Sequence, residues 1–518
     1  MIKETRVENG LVRGLSAADP RIISYKGIPF AKPPVGALRW RAPQPAADWE
    51  GVRECYTFAP IAMQAVPGSQ HNIYEREWNP DPEIPMSEDC LYLNVWTPAK
   101  TAAERLPVYV WYFGGGLQEG SPAEMEFNGE WLARRGIVVV TINYRVNCFG
   151  FLTHPEITAE SPDFPANFGH LDQRAATLWV RRNIAAFGGD PDNITIGGQS
   201  AGGGSVITQL TSSLTEGLFR RAVIMSGTFA KSYTPWGKGR FADLSHAEQI
   251  GAAFFEFLGV KTLAEARALD AFYIRDKYLE WIGGKFDTTN LGRSKPTMGT
   301  VVDGRFVTGN GMQMMLENRR QMVPLLVGNT PIEFISAPTA ATTKEELTAL
   351  VRETIGDRAG AFLAHCRADS LEEMKHRATY SPIELGARAI LEKTAENGDA
   401  PACYYYQFNG DIPGEDHPGP FHSSDLWFAF DSLAVCWRPF TGKHFDLARV
   451  MCNYWANFIR CGDPNGNDVD GTPMPRWLPY SESRSPMYFG KKAVMAGLEK
   501  LSPQMELLID DTLGRAFK

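Results

Sequence analysis

No C-x-x-C pair and no Cys/His cluster with zinc spacing occurs in the 518 residues. That excludes the common structural zinc sites and the dithiol redox motif. The eight cysteines (Cys55, Cys90, Cys148, Cys366, Cys403, Cys436, Cys452 and Cys461) stand apart from one another. Several have apolar or aromatic neighbours, as Cys403 has in Tyr404-Tyr405-Tyr406, and they read as buried, reduced thiols. A reducing, cytoplasmic location is the expectation. No stretch reaches the ~20 apolar residues of a membrane span. The opening Met1-Ile2-Lys3-Glu4-Thr5-Arg6-Val7-Glu8-Asn9-Gly10 has no apolar core of the signal-peptide kind, so none is expected. No basic run stands out and the formal net charge is −8, which argues against a nucleic-acid partner. No repeat, low-complexity tract or interdomain linker divides the chain. Residues 1–518 therefore read as a single domain, and oligomeric state is left open.

Hydrophobic residues make up 44 % and charged residues 22 %, enough apolar side chain for a sizeable core. Apolar runs alternate with helical patterns. Pro107–Phe113, Ile137–Asn143, Asn193–Gln199, Arg221–Ser226, Val323–Gly328 and Ala402–Phe408 predict strands. Leu171–Ala186, Gly203–Ser212, His246–Leu258, Pro382–Asn397 and His444–Arg460 predict helices. The alternation implies an α/β class, with a large, mostly parallel sheet and helices on both faces. Segments at about 229–320 and 336–400 break the strand rhythm and read as helix-rich excursions over the face at the carboxyl ends of the strands. Trp78-Asn79-Pro80-Asp81-Pro82-Glu83-Ile84-Pro85 reads as a loop, and 64–89 as a polar segment rather than an apolar lid.

The most telling run is Phe187–Gly202. A strand-like segment leads into Gly198-Gln199-Ser200-Ala201-Gly202, and a helical pattern follows from Gly203. Strand, G-x-S-x-G and helix make a nucleophile elbow, a turn so sharp that glycines must flank the serine. The bare pentapeptide reads equally well as a glycine-rich turn with a surface serine. Its context and its partners decide for the elbow.

A serine hydroxyl attacks only if a base takes its proton, and a buried acid orients that base. In this layout the acid and then the histidine follow the serine in the chain. Of nine histidines, His71, His154 and His170 come too early. His246, His365, His376 and His444 lie in charged, helix-like contexts and read as surface groups. His417 and His422 remain, both after the strand Ala402–Phe408. His422 is preferred for its aromatic setting, Phe421-His422-Ser423-Ser424-Asp425-Leu426-Trp427-Phe428, over His417 in a polar turn. Glu333, between Ile332 and Phe334 and just past the strand Val323–Gly328, is the candidate acid. Phe113-Gly114-Gly115-Gly116-Leu117 follows another strand and lacks the Gly-Lys-Ser/Thr of a phosphate loop. It reads as an oxyanion hole in which Gly115, Gly116 and Ala201 offer N–H groups.

Taken together, these residues resemble the type-B carboxylesterase family, which includes cholinesterases and some fungal lipases. The serine run and Glu88-Asp89-Cys90-Leu91-Tyr92-Leu93-Asn94-Val95-Trp96-Thr97-Pro98 match its two signatures. Tyr25-Lys26-Gly27-Ile28-Pro29-Phe30-Ala31, Asn143-Tyr144-Arg145 and Leu171-Asp172-Gln173 agree as well. The resemblance implies an α/β-hydrolase fold and hydrolysis of small to medium acyl or aryl esters through an acyl-enzyme. It implies a Ser200, Glu333 and His422 triad with Ser226 behind it, and no metal or cofactor.

The departures narrow the substrate. Gln199 stands where cholinesterases carry glutamate, which makes a choline ester a poorer expectation. Ala62-Met63-Gln64 stands where secreted relatives place the cysteine that pairs with the Cys90 position, so that disulfide is expected to be missing. Phe113, Leu117, Phe229, Phe334 and Trp427 are candidates to line the substrate pocket. A lipase, an amidase, a specialised aryl or hydroxycinnamoyl esterase and a non-catalytic binding protein are the alternatives on this fold.

Overall fold

The computed structural model describes residues 1–68, 72–78, 81–233, 242–283, 297–331, 333–495 and 501–514. His71, Asn79, Pro80 and Ile332 lie outside the described residues, as do parts of the segment 229–320.

Eleven strands form the main sheet: β1 (Leu15–Ser16), β2 (Ile23–Pro29), β3 (Tyr92–Thr97), β4 (Leu106–Tyr112), β5 (Val138–Ile142), β6 (Gly189–Gln199), β7 (Arg221–Met225), β8 (Leu325–Asn329), β9 (Cys403–Phe408), β10 (Met487–Phe489) and β11 (Ala493–Met495). Their order across the sheet is β11-β10-β9-β8-β7-β6-β4-β5-β3-β2-β1. From β5 to β10 every pairing is parallel, and antiparallel strands close both edges. All five residues of Val138-Val139-Val140-Thr141-Ile142 are buried. That unbroken apolar run is what a parallel strand covered on both faces requires. The edge strands β1 and β11 are short, which leaves little free backbone for edge-to-edge pairing.

Register sets the position of the site. β4 is flanked by β5 on one side and β6 on the other, so the strand order reverses there and a crevice opens at the carboxyl ends. Tyr112 at the end of β4 lies opposite Gly198 of β6, and Gln199 lies opposite Met225 of β7. Met225 in turn faces Gly328 of β8, and Gly328 faces Tyr406 of β9. Four loops thus leave the sheet at one level, one after each of β4, β6, β8 and β9.

Helix Phe168–Asn183 covers one part of the sheet and helix Gly442–Cys461 another, each with a buried stripe on the central core. The helices Lys344–Ile355, Ala359–Cys366 and Leu371–Ala378, together with Pro503–Thr512, bury a second apolar cluster around Leu347, Phe362, Tyr380 and Leu508. Two of the sequence motifs meet inside the molecule. Arg145 makes a bidentate pair with Asp172, at 2.7 and 2.8 Å, with both side chains buried. Cys90 and the Ala62-Met63 segment line one small void of about 10 Å³, and Cys90 is a buried thiol in no disulfide. No helix among the described residues is long and apolar enough to cross a membrane.

Candidate active site

Ser200 occupies the turn between β6 and helix Ala201–Thr211 at φ 56° and ψ −122°, a conformation strained for a residue with a side chain. Its N–H donates to the carbonyl of Met225 at 2.9 Å, which ties the turn to β7. A Cβ on Gly202 would lie 2.1 Å from the Tyr112 carbonyl oxygen, and one on Gly198 would lie 2.4 Å from the Gly202 carbonyl carbon. Both contacts are with backbone, so the two glycines are what allow the helix to pass this close to β4.

Glu333 follows β8 and His422 lies in the loop after β9. They are 89 positions apart in the chain, yet His422 Nδ1 donates to Glu333 Oε2 at 2.6 Å. The other carboxylate oxygen, Oε1, accepts the Thr330 N–H at 3.0 Å. Both side chains are buried. Because the carboxylate is an acceptor only, the proton sits on Nδ1 and Nε2 is left as the basic nitrogen. Gln199 Nε2 donates to that nitrogen at 3.2 Å. The ring of Phe334 packs edge-on against the imidazole at 4.4 Å between centroids. His417 is exposed in its loop and lines neither cavity described below.

Gly115 and Gly116, at φ 94° and 67°, turn the segment after β4 beside Ser200. A Cβ on Gly115 would fall 2.1 Å from the Glu119 carbonyl oxygen, so only glycine fits there. The segment is held from several directions. Gln64 bonds the Gly120 backbone at both ends, accepting its N–H at 2.8 Å and donating to its carbonyl at 3.0 Å. Asn147 donates to the Gln118 carbonyl at 3.0 Å, and Tyr278 donates to the Gln118 side chain at 2.7 Å.

Among the described residues, two cavities meet Ser200. One is a cleft of about 60 Å³ that also meets Gly115, Gly116, His422, Tyr74, Trp78 and Phe127. The other holds about 660 Å³ and meets Ala201, Leu117, Ile207, Phe229, Met312 and Phe334. Leu117, Phe229 and Phe334 therefore border open space. Phe113 and Trp427 do not. Phe113 is buried and stacked on Tyr144 at 4.1 Å, with its carbonyl accepting the Tyr144 hydroxyl. Trp427 is buried one layer behind Trp78. Both are corrected from pocket wall to core, since aromatic character alone does not separate the two.

Ser226 lies in a left-handed turn at φ 48° and is fully buried. Its N–H donates to the Gly328 carbonyl at 2.8 Å, and its hydroxyl has no hydrogen-bond partner among the described residues. Asp425, three residues after His422, accepts the Tyr406 hydroxyl at 2.6 Å, and burial pushes its carboxyl up to about 7.

Several features were not read from the sequence. Gln64, Tyr278 and the Gln199 contact to His422 come from distant or bland positions. The segment 64–89 is not uniformly polar surface. Trp78 ends a helix, Ile73–Trp78, and Glu77 on that helix pairs with Arg438 with both side chains wholly buried. His444 is likewise buried rather than a surface group, its Nδ1 accepting the Thr441 N–H at 2.9 Å.

Fold and site together define a carboxylic ester hydrolase of the α/β-hydrolase fold. The chain belongs to the carboxylesterase family, whose model matches residues 3–502. It is similar to the fumonisin B1 esterase of Sphingopyxis macrogoltabida, 31% identical over 502 residues, covering 94% of this chain and 86% of that one. The para-nitrobenzyl esterase of Bacillus subtilis (strain 168) is 30% identical over 487 residues, 91% of each chain. A solved PNB esterase superposes with a TM-score of 0.77 at 27% identity, over 98% of this chain and 100% of that one. The Geobacillus stearothermophilus carboxylesterase EST55 gives 0.73 at 29% identity, over 95% and 97%.

Proposed function

We propose that this carboxylesterase works through an acyl-enzyme, with Ser200 as nucleophile, His422 as base and Glu333 as the acid that orients it. The observation that carries the reading is the buried 2.6 Å bond from His422 Nδ1 to Glu333, made in the same cleft wall as the strained Ser200. His422 Nε2 takes the Ser200 proton as Oγ attacks the ester carbonyl. The N–H groups of Gly115, Gly116 and Ala201 receive the oxyanion. The imidazolium, stabilised by Glu333, then protonates the departing alcohol, and water repeats the steps on the acyl-enzyme. Gln199 must yield its contact with Nε2 as the serine proton arrives. Eight unpaired cysteines, of which only Cys461 is exposed, support a reducing compartment such as the cytoplasm. Treatment with a fluorophosphonate probe is expected to label the peptide carrying Ser200 and to abolish hydrolysis of p-nitrophenyl esters in step. Labelling elsewhere, or full activity after complete labelling, removes the assignment.

The two cavities divide the substrate. His422 gives its proton to the leaving oxygen, so the alcohol departs into the compartment that His422 lines, which is the small cleft. The acyl group then occupies the cavity of about 660 Å³. Each buried methylene contributes about 0.8 kcal/mol. For a fixed small alcohol, kcat/KM is expected to rise about tenfold or more from acetyl to octanoyl. A chain-length series of ethyl esters checks this. A maximum at acetyl, with steady decline afterwards, reverses the assignment of the two sides.

A further inference from the structure

The cavity of about 660 Å³ is not apolar throughout. Helix Ala201–Thr211 gives it one face, Ala201, Gly204, Ser205 and Thr208, residues three and four positions apart. Ser205, a buried hydroxyl on that face, lies about 7 Å along the helix axis from the elbow. His170 and Thr300 border the cavity too, and both are buried. Three hydrogen bonds join these residues into one strip. Thr300 Oγ1 lies 2.9 Å from His170 Nε2, His170 Nδ1 lies 3.0 Å from Gln173 Oε1, and Gln173 Nε2 donates to Ser205 Oγ at 2.9 Å. Gln209 sets the direction of each bond. Its Nε2 donates to the His170 carbonyl at 3.1 Å and reaches Gln173 Oε1 at 3.4 Å, so the Gln173 atom facing the imidazole is the oxygen. An amide oxygen only accepts, so the proton sits on His170 Nδ1 and Nε2 is bare. Burial pushes the His170 pKa down to about 4, which keeps the ring neutral. Thr300 therefore gives its one hydroxyl proton to Nε2, and its oxygen is left as an acceptor. Ser205 already accepts from Gln173, and its own proton is committed to no group among the described residues. One open acceptor and one open donor thus stand on residues that border the same cavity. The two charged residues on the wall, Lys231 and Asp511, are paired with each other.

We propose that Thr300 and Ser205 form a subsite for a hydroxyl carried on the acyl chain, with His170 and Gln173 as the positioning residues that decide which of the two donates. The inference rests on the reading of this cavity as the acyl side. A hydroxyl is donor and acceptor at once, so it answers either wall group: it gives a proton to Thr300 and takes one from Ser205. A carbonyl only accepts, and the Thr300 oxygen has no proton left to offer it. A methylene leaves both wall groups without that further bond. An ammonium or a carboxylate brings a charge that no unmatched group on the wall answers. The apolar part of the wall, with Leu117, Ile207, Phe229 and Met312, suits the chain between the ester and the hydroxyl.

Three ethyl esters test this: the heptanoate and its analogues with a hydroxyl or an oxo group on the sixth carbon. They are equal in chain length and place the varied group at the level of Ser205. The wild type is expected to favour the hydroxy ester over the plain heptanoate by about tenfold in kcat/KM, with the oxo ester below the hydroxy ester. Ser205→Ala and Thr300→Val are each expected to lower the hydroxy preference several-fold, and Thr300→Ser to keep it. His170→Leu frees the Thr300 proton, so the oxo ester is expected to rise to the level of the hydroxy ester. All ratios are taken within one protein, and melting curves confirm that each variant is folded. If the variants do not fold, the wild-type ratios carry the test. A wild-type hydroxy preference of one or less, or one undiminished in folded Ser205→Ala or Thr300→Val, overturns the subsite. An unchanged oxo-to-hydroxy ratio in folded His170→Leu overturns the positioning role. Heptyl acetate and its analogue with a hydroxyl on the sixth carbon of the alcohol separate the subsite from the choice of sides. A hydroxyl preference found in this alcohol pair and not in the acyl series overturns the acyl placement and keeps the strip. Rates that rise with acyl length but show no hydroxyl preference overturn the strip and keep the sides.

Discussion

Ser200→Ala is expected to lower kcat for p-nitrophenyl butyrate by about 10⁴- to 10⁶-fold. The substitution removes one oxygen and leaves the rest of the elbow in place. The turn is held by the Ser200 N–H to the Met225 carbonyl and by the Gly204 N–H to the Ser200 carbonyl, each at 2.9 Å. Both are backbone bonds that alanine retains. The strained φ of 56° belongs to the backbone too, so the variant is expected to melt within a few degrees of the wild type. What disappears is the atom that becomes bonded to the acyl group. The glycine N–H groups remain, and such donors alone sustain about 10³- to 10⁴-fold over water in other serine hydrolases. Residual activity at that level, with loss of fluorophosphonate labelling, is the full signature. A variant that keeps more than a tenth of the wild-type kcat shows that another group attacks the ester, and the role given to Ser200 is then lost.

The parts of this site that the sequence announces are those set by local chemistry. Continuous runs such as Val138–Ile142 and Arg221–Met225 can only be buried strands, so the parallel centre of the sheet was legible, to within a few residues at each end. The elbow was legible because its glycines answer to one steric need. Helix starts were less so. Helix Phe168–Asn183 begins three residues before the predicted Leu171, because Asn167 in a left-handed conformation turns the chain into it. The antiparallel edges, β1–β3 and β11, carry weaker patterns and were not predicted. Long-range polar contacts left no local trace. Gln64 reaches Gly120 across 56 positions, and Arg438 reaches Glu77 across 361. Phe113 and Trp427 show the opposite failure. Their burial was foreseeable, but a core and a cavity wall draw on the same residue types.

Glu333→Gln is expected to lower kcat by about 10⁴-fold while changing KM little. The argument depends on which way the amide must face. In the native protein Glu333 Oε1 accepts the Thr330 N–H and Oε2 accepts from His422 Nδ1. A glutamine has one oxygen and one NH₂, and the Thr330 N–H can be met only by the oxygen. The NH₂ is therefore delivered to Nδ1, which must then be an acceptor. The imidazole proton moves to Nε2, the atom that has to take the serine proton. The base is present, correctly placed and in the wrong tautomer. Burial of both side chains leaves no bulk water to restore the other one at low cost. Asp425 offers no substitute, because its bonded oxygen is committed to Tyr406. It does supply a second readout. Part of what raises its carboxyl to about 7 is the charge of Glu333, so in Glu333→Gln that carboxyl titrates lower. Nitrogen-15 shifts of the His422 ring report the tautomer directly, and carbon-13 shifts of Asp425 report the lost charge. A kcat within tenfold of wild type, with the proton still on Nδ1, means that Glu333 neither orients the base nor stabilises its cation. The carboxylate that does so must then be sought elsewhere in the fold.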